Sequence, residues 1–146
     1  MPADAEAHVR RIHPILLAAP LGALGVDAVY LWAMARQGDG LVPRVLFVAG
    51  WIAAFAGCAL VAAFTRHALR RSVLFAVAAS AFGVLGVVGL FSIGVPMMVV
   101  TLIAAIQALL AAEEAGVGPL AVVGWALLLL LAAAGALTLG FLLTPQ

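Results

Sequence analysis

Residues 73–112 read VLFAVAASAFGVLGVVGLFSIGVPMMVVTLIAAIQALLAA, an unbroken run without a charged side chain. As one straight helix the run would be about 60 Å long, twice the roughly 30 Å hydrocarbon core of a bilayer. It must therefore turn back, and Ser92-Ile93-Gly94-Val95-Pro96 supplies Gly94 and Pro96 for the reversal. The run then divides into two spans, 72–91 and 95–112. Working outward, apolar stretches of spanning length occupy 14–35 and 43–64 before it and 119–143 after it. Gln37-Gly38-Asp39-Gly40 reads as a polar turn, Pro43 suits the first turn of a helix, and Gly116-Val117-Gly118-Pro119 separates the last two stretches. The predicted fold class is all-α: a polytopic transmembrane helix bundle of five spans, one domain over 1–146. A four-span alternative would make 72–91 or 95–112 re-entrant or interfacial.

Composition points the same way. Apolar residues make up 67% of the 146 residues and charged residues 9%, with a mean hydropathy of +1.29. So few charges cannot cover a water-facing surface, which excludes a soluble domain. Formal net charge is +1, all seven basic residues are arginine, and no basic run is longer than the pairs Arg10-Arg11 and Arg70-Arg71. Nucleic acid is therefore not an expected partner. Cys58, the single cysteine, has no partner for an intramolecular disulfide and reads as a small apolar residue. Asp4, Glu6 and His8 precede a first span too long for a signal-peptide core, so no cleaved leader is expected.

Arginine placement sets the expected orientation. With the N-terminus cytoplasmic, Arg10, Arg11, Arg66, Arg70 and Arg71 lie inside, and only Arg36 and Arg44 lie outside. Glu113 and Glu114 then end the fourth span on the inner side, where the helix dipole disfavours them. A solvated turn is the expectation there, with an ion pair to the Arg66–Arg71 loop as the alternative.

Small residues at four-residue spacing let helices approach closely in lipid. Gly50, Ala54, Cys58 and Ala62 form such a stripe in the second span. Ala79 and Gly83 do so in the third, Ala104, Ala108 and Ala112 in the fourth, and Ala132, Ala136 and Gly140 in the fifth. The expectation is that these stripes pack within the bundle; docking onto another membrane protein is the alternative. Tyr30 and Trp32 are expected near the outer interface.

One acidic residue stands inside the five stretches. Asp27 lies about 20 Å along the first span, slightly past the midplane. Pro20, Ala23, Leu24, Tyr30, Leu31 and Met34 share its face by helical spacing. A carboxylate at membrane depth costs at least about 2.5–3.5 kcal/mol, so the residue needs a reason to be there. Three readings are open. A protonated Asp27 hydrogen-bonds to Tyr30 or to a backbone carbonyl. Arg44 reaches down from the outer side and bridges to it. Or Asp27, with Tyr30 and Arg44, binds a coupling proton or cation in a transport path. The other spans add few polar groups: Ser80, Thr101, Gln107 and Thr138. His8, His13 and His67 all fall on the inner side. His13 and His67 are weak candidates for holding a cofactor, but no metal-ligand spacing accompanies them. No nucleophile motif or phosphate-binding loop is present, and neither catalysis nor a cofactor is expected.

The stretch His13-Pro14-Ile15-Leu16, followed by Pro20-Leu21-Gly22, resembles the opening of an uncharacterised bacterial family of small multi-span membrane proteins. That family begins its first span with His-Pro-x-Leu and places Pro-Ile/Leu-Gly a few residues on. Asp27 comes about one turn before the family's acidic residue, and the family's Gly-Asp pair is missing before His67. The resemblance implies a protein of the bacterial inner membrane and brings no activity. Two functions are expected on these grounds: a non-catalytic accessory or structural subunit contacting lipids and other membrane subunits or itself, or a small proton- or ion-coupled transporter using Asp27.

Overall fold

The computed structural model describes residues 14–37 and 42–144. A 3₁₀ turn, Pro14–Leu17, leads into α1 (Ala18–Arg36). Next come α2 (Pro43–Phe64), α3 (Ala68–Val88), a π-helical turn (Leu90–Gly94), α4 (Val95–Glu114) and α5 (Pro119–Leu143). Five helical segments among the described residues are long and apolar enough to cross a membrane, so the protein is a multi-pass membrane helix bundle. Pro43 and Pro119 open α2 and α5 from the first turn, where a missing N–H removes no helical hydrogen bond.

The first four helices form a closed ring. α1 packs on α2, α2 on α3, α3 on α4, and α4 on α1, while α5 is applied to the outside of α3. The ring is filled by a few large side chains set among alanines. Ile52, Phe75, Phe82 and Met97 are fully buried, and Ala23, Ala56, Ala59, Ala78 and Ala104 let the backbones close around them. α5 is the exception: Leu137 is its one buried side chain among those described.

α3 and α4 form an antiparallel hairpin whose register is visible in paired contacts. Gly83 faces Thr101, Gly86 faces Met98, and Gly94 abuts the backbones of Gly86 and Gly89. The reversal starts earlier than expected, at Gly89 rather than at Gly94 and Pro96. Gly89 ends α3, its carbonyl accepts from Ser92 N–H at 2.8 Å and from Gly94 N–H at 2.7 Å, and Pro96 already lies in the first turn of α4. The wide turn keeps backbone groups bonded while the chain changes direction, as a low-dielectric surrounding requires.

Three further expectations are corrected. α3 begins at Ala68, so Arg70 and Arg71 are helical and not part of a loop. Arg71 pairs with Glu114 across the hairpin, so the turn at Glu113-Glu114 is not simply solvated. The α2 stripe is also not the internal seam. Of its members Gly50 and Ala54 are exposed, Cys58 is half-buried and only Ala62 is buried, whereas Val48, Ile52, Ala56, Ala59 and Ala63 also face inward. The interior must be filled, and the inward face carries Val48 and Ile52 where the stripe carries only small residues. Gly83 is buried as expected, Ala136 is exposed, and Gly140 is half-buried under the Phe47 ring.

Candidate functional site

Asp27 points into the bundle. α1 buries Ala19, Pro20, Ala23, Asp27 and Tyr30, a face set by the three- and four-residue spacing of those positions. Leu24, expected on this face, is instead 43% exposed, because it lies a quarter-turn toward lipid. Asp27 is 8% exposed, about 18 Å from the start of the first spanning segment at Ile15 and about 14 Å from its end at Arg36. Its Oδ1 is buried and makes no hydrogen bond among the described residues. A buried polar atom left unmatched costs about 1–3 kcal/mol, so Asp27 is a local destabilisation that the rest of the fold carries.

Tyr30 follows one turn later on the same face and is 9% exposed. Trp32, expected with it near the outer interface, is 58% exposed, with the Arg36 guanidinium 4.3 Å from its ring centre. Tyr30 and Arg44 share the wall of a cleft of about 230 Å³. The cleft lies where the start of α2 meets the turn between α3 and α4, beside Ser92 and Phe141. Arg44 sits in the first turn of α2, with its Nε buried and without a hydrogen-bond partner among the described residues. Arg44 does not form the expected bridge to Asp27: no ion pair joins them, and Asp27 is not on the cleft wall. Tyr30 and Arg44 therefore meet at one end of the bundle, while Asp27 stands nearer mid-helix and is joined to neither by a hydrogen bond or ion pair among the described residues.

The remaining polar side chains do not extend this group. Ser80, Thr101 and Thr138 donate to carbonyls one turn back in their own helices, at 2.9, 2.8 and 2.8 Å. Gln107 is 4% exposed and donates through Nε2 to the Ile15 carbonyl, about 18 Å along α1 from Asp27. Ser72 donates to the Ala108 carbonyl at 2.9 Å and ties α3 to α4. His67 is exposed ahead of α3, while His8 and His13 lie outside the described residues. Among the described residues no three metal-ligating side chains come together.

Sequence reasoning found Asp27, Tyr30 and Arg44 from their charge or polarity in apolar surroundings. It missed Ser92 and the aromatic wall at Phe141, which only the hairpin turn and the return of α5 bring to the cleft. Chemically, Asp27 can exchange a proton, Arg44 can bind an anion, and Tyr30 can donate to either. Searches against protein-family models, curated proteins and solved structures match nothing.

Proposed function

We propose that the chain is a non-catalytic subunit of a larger assembly in a bacterial inner membrane. In this reading the outward face of α2 is its docking surface. The observation that carries it is the exposure of Gly50, Ala53, Ala54 and Gly57 on one lipid-facing side of the helix. A Cβ added at Gly50 or Gly57 meets nothing within 4 Å, so the fold itself has no use for glycine there. Each glycine costs about 1 kcal/mol of helix propensity against alanine. In lipid such a face is suited to close approach by another helix. The partner is another membrane protein or a second copy, no cofactor is required, and the N-terminus is cytoplasmic as the arginines suggest.

The test is the native mass of the tagged protein after mild extraction, with Gly50→Leu and Gly57→Leu alongside. Co-purifying polypeptides or a defined oligomer, lost in both variants while the monomer stays folded, supports the reading. A wild-type monomer of 14.9 kDa would overturn it.

A second reading, a small proton- or ion-coupled transporter, is favoured by one observation: Asp27 faces the bundle interior and its Oδ1 is unpartnered among the described residues. Reconstituted vesicles test it. Asp27→Asn should abolish a coupled flux without changing the fold, and unchanged flux would exclude the role.

A further inference from the structure

We propose that the cleft at the α1–α2 end of the bundle is a binding site for a small oxyanion, a carboxylate or a phosphate group, held by Arg44 and Tyr30. Neither functional reading above is needed for this inference.

The first argument is charge. Among the described residues Arg44 is the one charged residue on the cleft wall, and the walls around it are apolar, formed by Val48, Leu85 and Phe141 among others. A guanidinium has five N–H donors and no acceptor, and it stays ionised at any physiological pH. Among the described residues its Nε, which is buried, bonds to nothing, and no carboxylate lies within ion-pairing distance of the guanidinium. An ionised, partly dehydrated donor beside an open volume needs an anionic acceptor more than it needs water.

The second argument is the company it keeps. Tyr30 is nine-tenths buried and lines the same cleft, and no hydrogen bond from it occurs among the described residues. Its hydroxyl can donate to the oxygen that Arg44 would hold. Ser92 lies on the same wall, with its own proton committed to the Gly89 carbonyl at 3.2 Å. A volume of about 230 Å³ accommodates one small organic anion or one lipid phosphate with part of its glycerol, but not a large ligand. Asp27 stands one turn deeper, off the wall, and makes no ion pair with the guanidinium.

The chain has a single tyrosine, so 3-fluorotyrosine introduced during expression gives one ¹⁹F resonance, at Tyr30. The full chain would be placed in phosphatidylcholine nanodiscs and titrated with inorganic phosphate, with acetate, and with chloride at matched ionic strength as the baseline. A parallel sample would replace part of the phosphatidylcholine with phosphatidylglycerol and receive no added solute. The expected result is a saturable displacement of the Tyr30 resonance beyond the chloride baseline. Displacement by phosphate or acetate identifies a solute anion, and displacement by phosphatidylglycerol alone identifies a headgroup. In Arg44→Gln the apparent affinity should fall about tenfold or more, the loss expected for one charge-assisted hydrogen bond. No displacement from any of the three anions overturns the proposal, as does displacement that survives undiminished in Arg44→Gln. Should Arg44→Gln fail to fold, the wild-type titration decides alone. Saturation above the chloride baseline upholds the site, and its absence removes it.

Discussion

Arg71, in the first turn of α3, is ion-paired to Glu114, in the last turn of α4. Each charge sits at the helix end whose dipole disfavours it, and the antiparallel hairpin brings the two together. The pair is partly solvated, with Glu114 61% exposed, so it is worth about 0–1 kcal/mol. Breaking it with Glu114→Gln should therefore cost less than about 1 kcal/mol.

Exchanging the charges gives a sharper prediction. Arg71→Glu with Glu114→Arg keeps the pair but places each charge at its favoured helix end. The double variant should exceed wild type by about 0.3–1 kcal/mol per helix end at low salt. Both positions lie at one end of the hairpin, so the arginine count on that side is unchanged and topology should hold. Thermal unfolding in detergent, run as a double-mutant cycle, measures the effect, and a double variant less stable than either single change would contradict it.

The hairpin turn predicts a strong glycine dependence at one position and a weak one nearby. A Cβ at Gly94 would overlap the Gly86 carbonyl and come within 2.6 Å of the Gly89 carbonyl carbon, and backbone cannot step aside. Gly94→Ala should therefore cost about 3 kcal/mol, near the upper end of overpacking penalties. At Gly86 the nearest atom is the Met98 Sδ at 2.9 Å, on a flexible side chain. Gly86→Ala should cost about 1 kcal/mol, and less when combined with Met98→Ala. Equal losses at the two positions would refute this account of the turn.

Gly140 and Phe47 test how α5 is held. A methyl group at Gly140 would run into the Phe47 ring, which also meets Phe141 edge-on at 5.6 Å. Since α5 buries only Leu137 among its described side chains, little else fixes its C-terminal end. Gly140→Ala should detach that end, seen as faster proteolysis of α5 near Thr138. Phe47→Val should restore protection in the Gly140→Ala background. If Gly140→Ala is as protected as wild type, the contact does not anchor the helix.

The spans were legible because lipid demands long apolar runs and the breaks between them carry glycine, proline or charge. The reversal at Gly89 was less so. A π-helical turn satisfies its own backbone and leaves no polar signal, so Gly94 and Pro96, stronger breakers by composition, drew the assignment. Four-residue spacing of small residues marks a face suited to contact but carries no direction. On α2 both faces are rich in alanine, and the volume of Ile52 decided which turned inward. An ion pair between the end of α4 and the Arg66–Arg71 segment was open as the alternative, and only the hairpin register selects Arg71 and Glu114 for it. Asp27 was visible as the one acid in apolar sequence, whereas the separation of Asp27 from Arg44 depends on side-chain reach between two helices.

That separation leads to the last prediction. A carboxylate held by an arginine would be costly to neutralise, because the arginine would be left buried and alone, a loss of about 3–5 kcal/mol. Asp27 has no such partner among the described residues, and its Oδ1 is already unmatched. Asp27→Asn keeps the shape and removes the ionisable group, so unfolding stability should change by less than about 1 kcal/mol. Asp27→Leu removes the buried polar atoms altogether and should match or exceed wild type, as apolar replacement of an unmatched polar group often does. Reversible unfolding in detergent micelles resolves both. A loss above about 2 kcal/mol in Asp27→Asn would mean that the carboxylate has a tightly held partner, and Asp27 would then be a structural residue. Near-neutral values for both variants would mean that the fold has no structural need of this acid, and that its presence at membrane depth answers to something Asp27 binds.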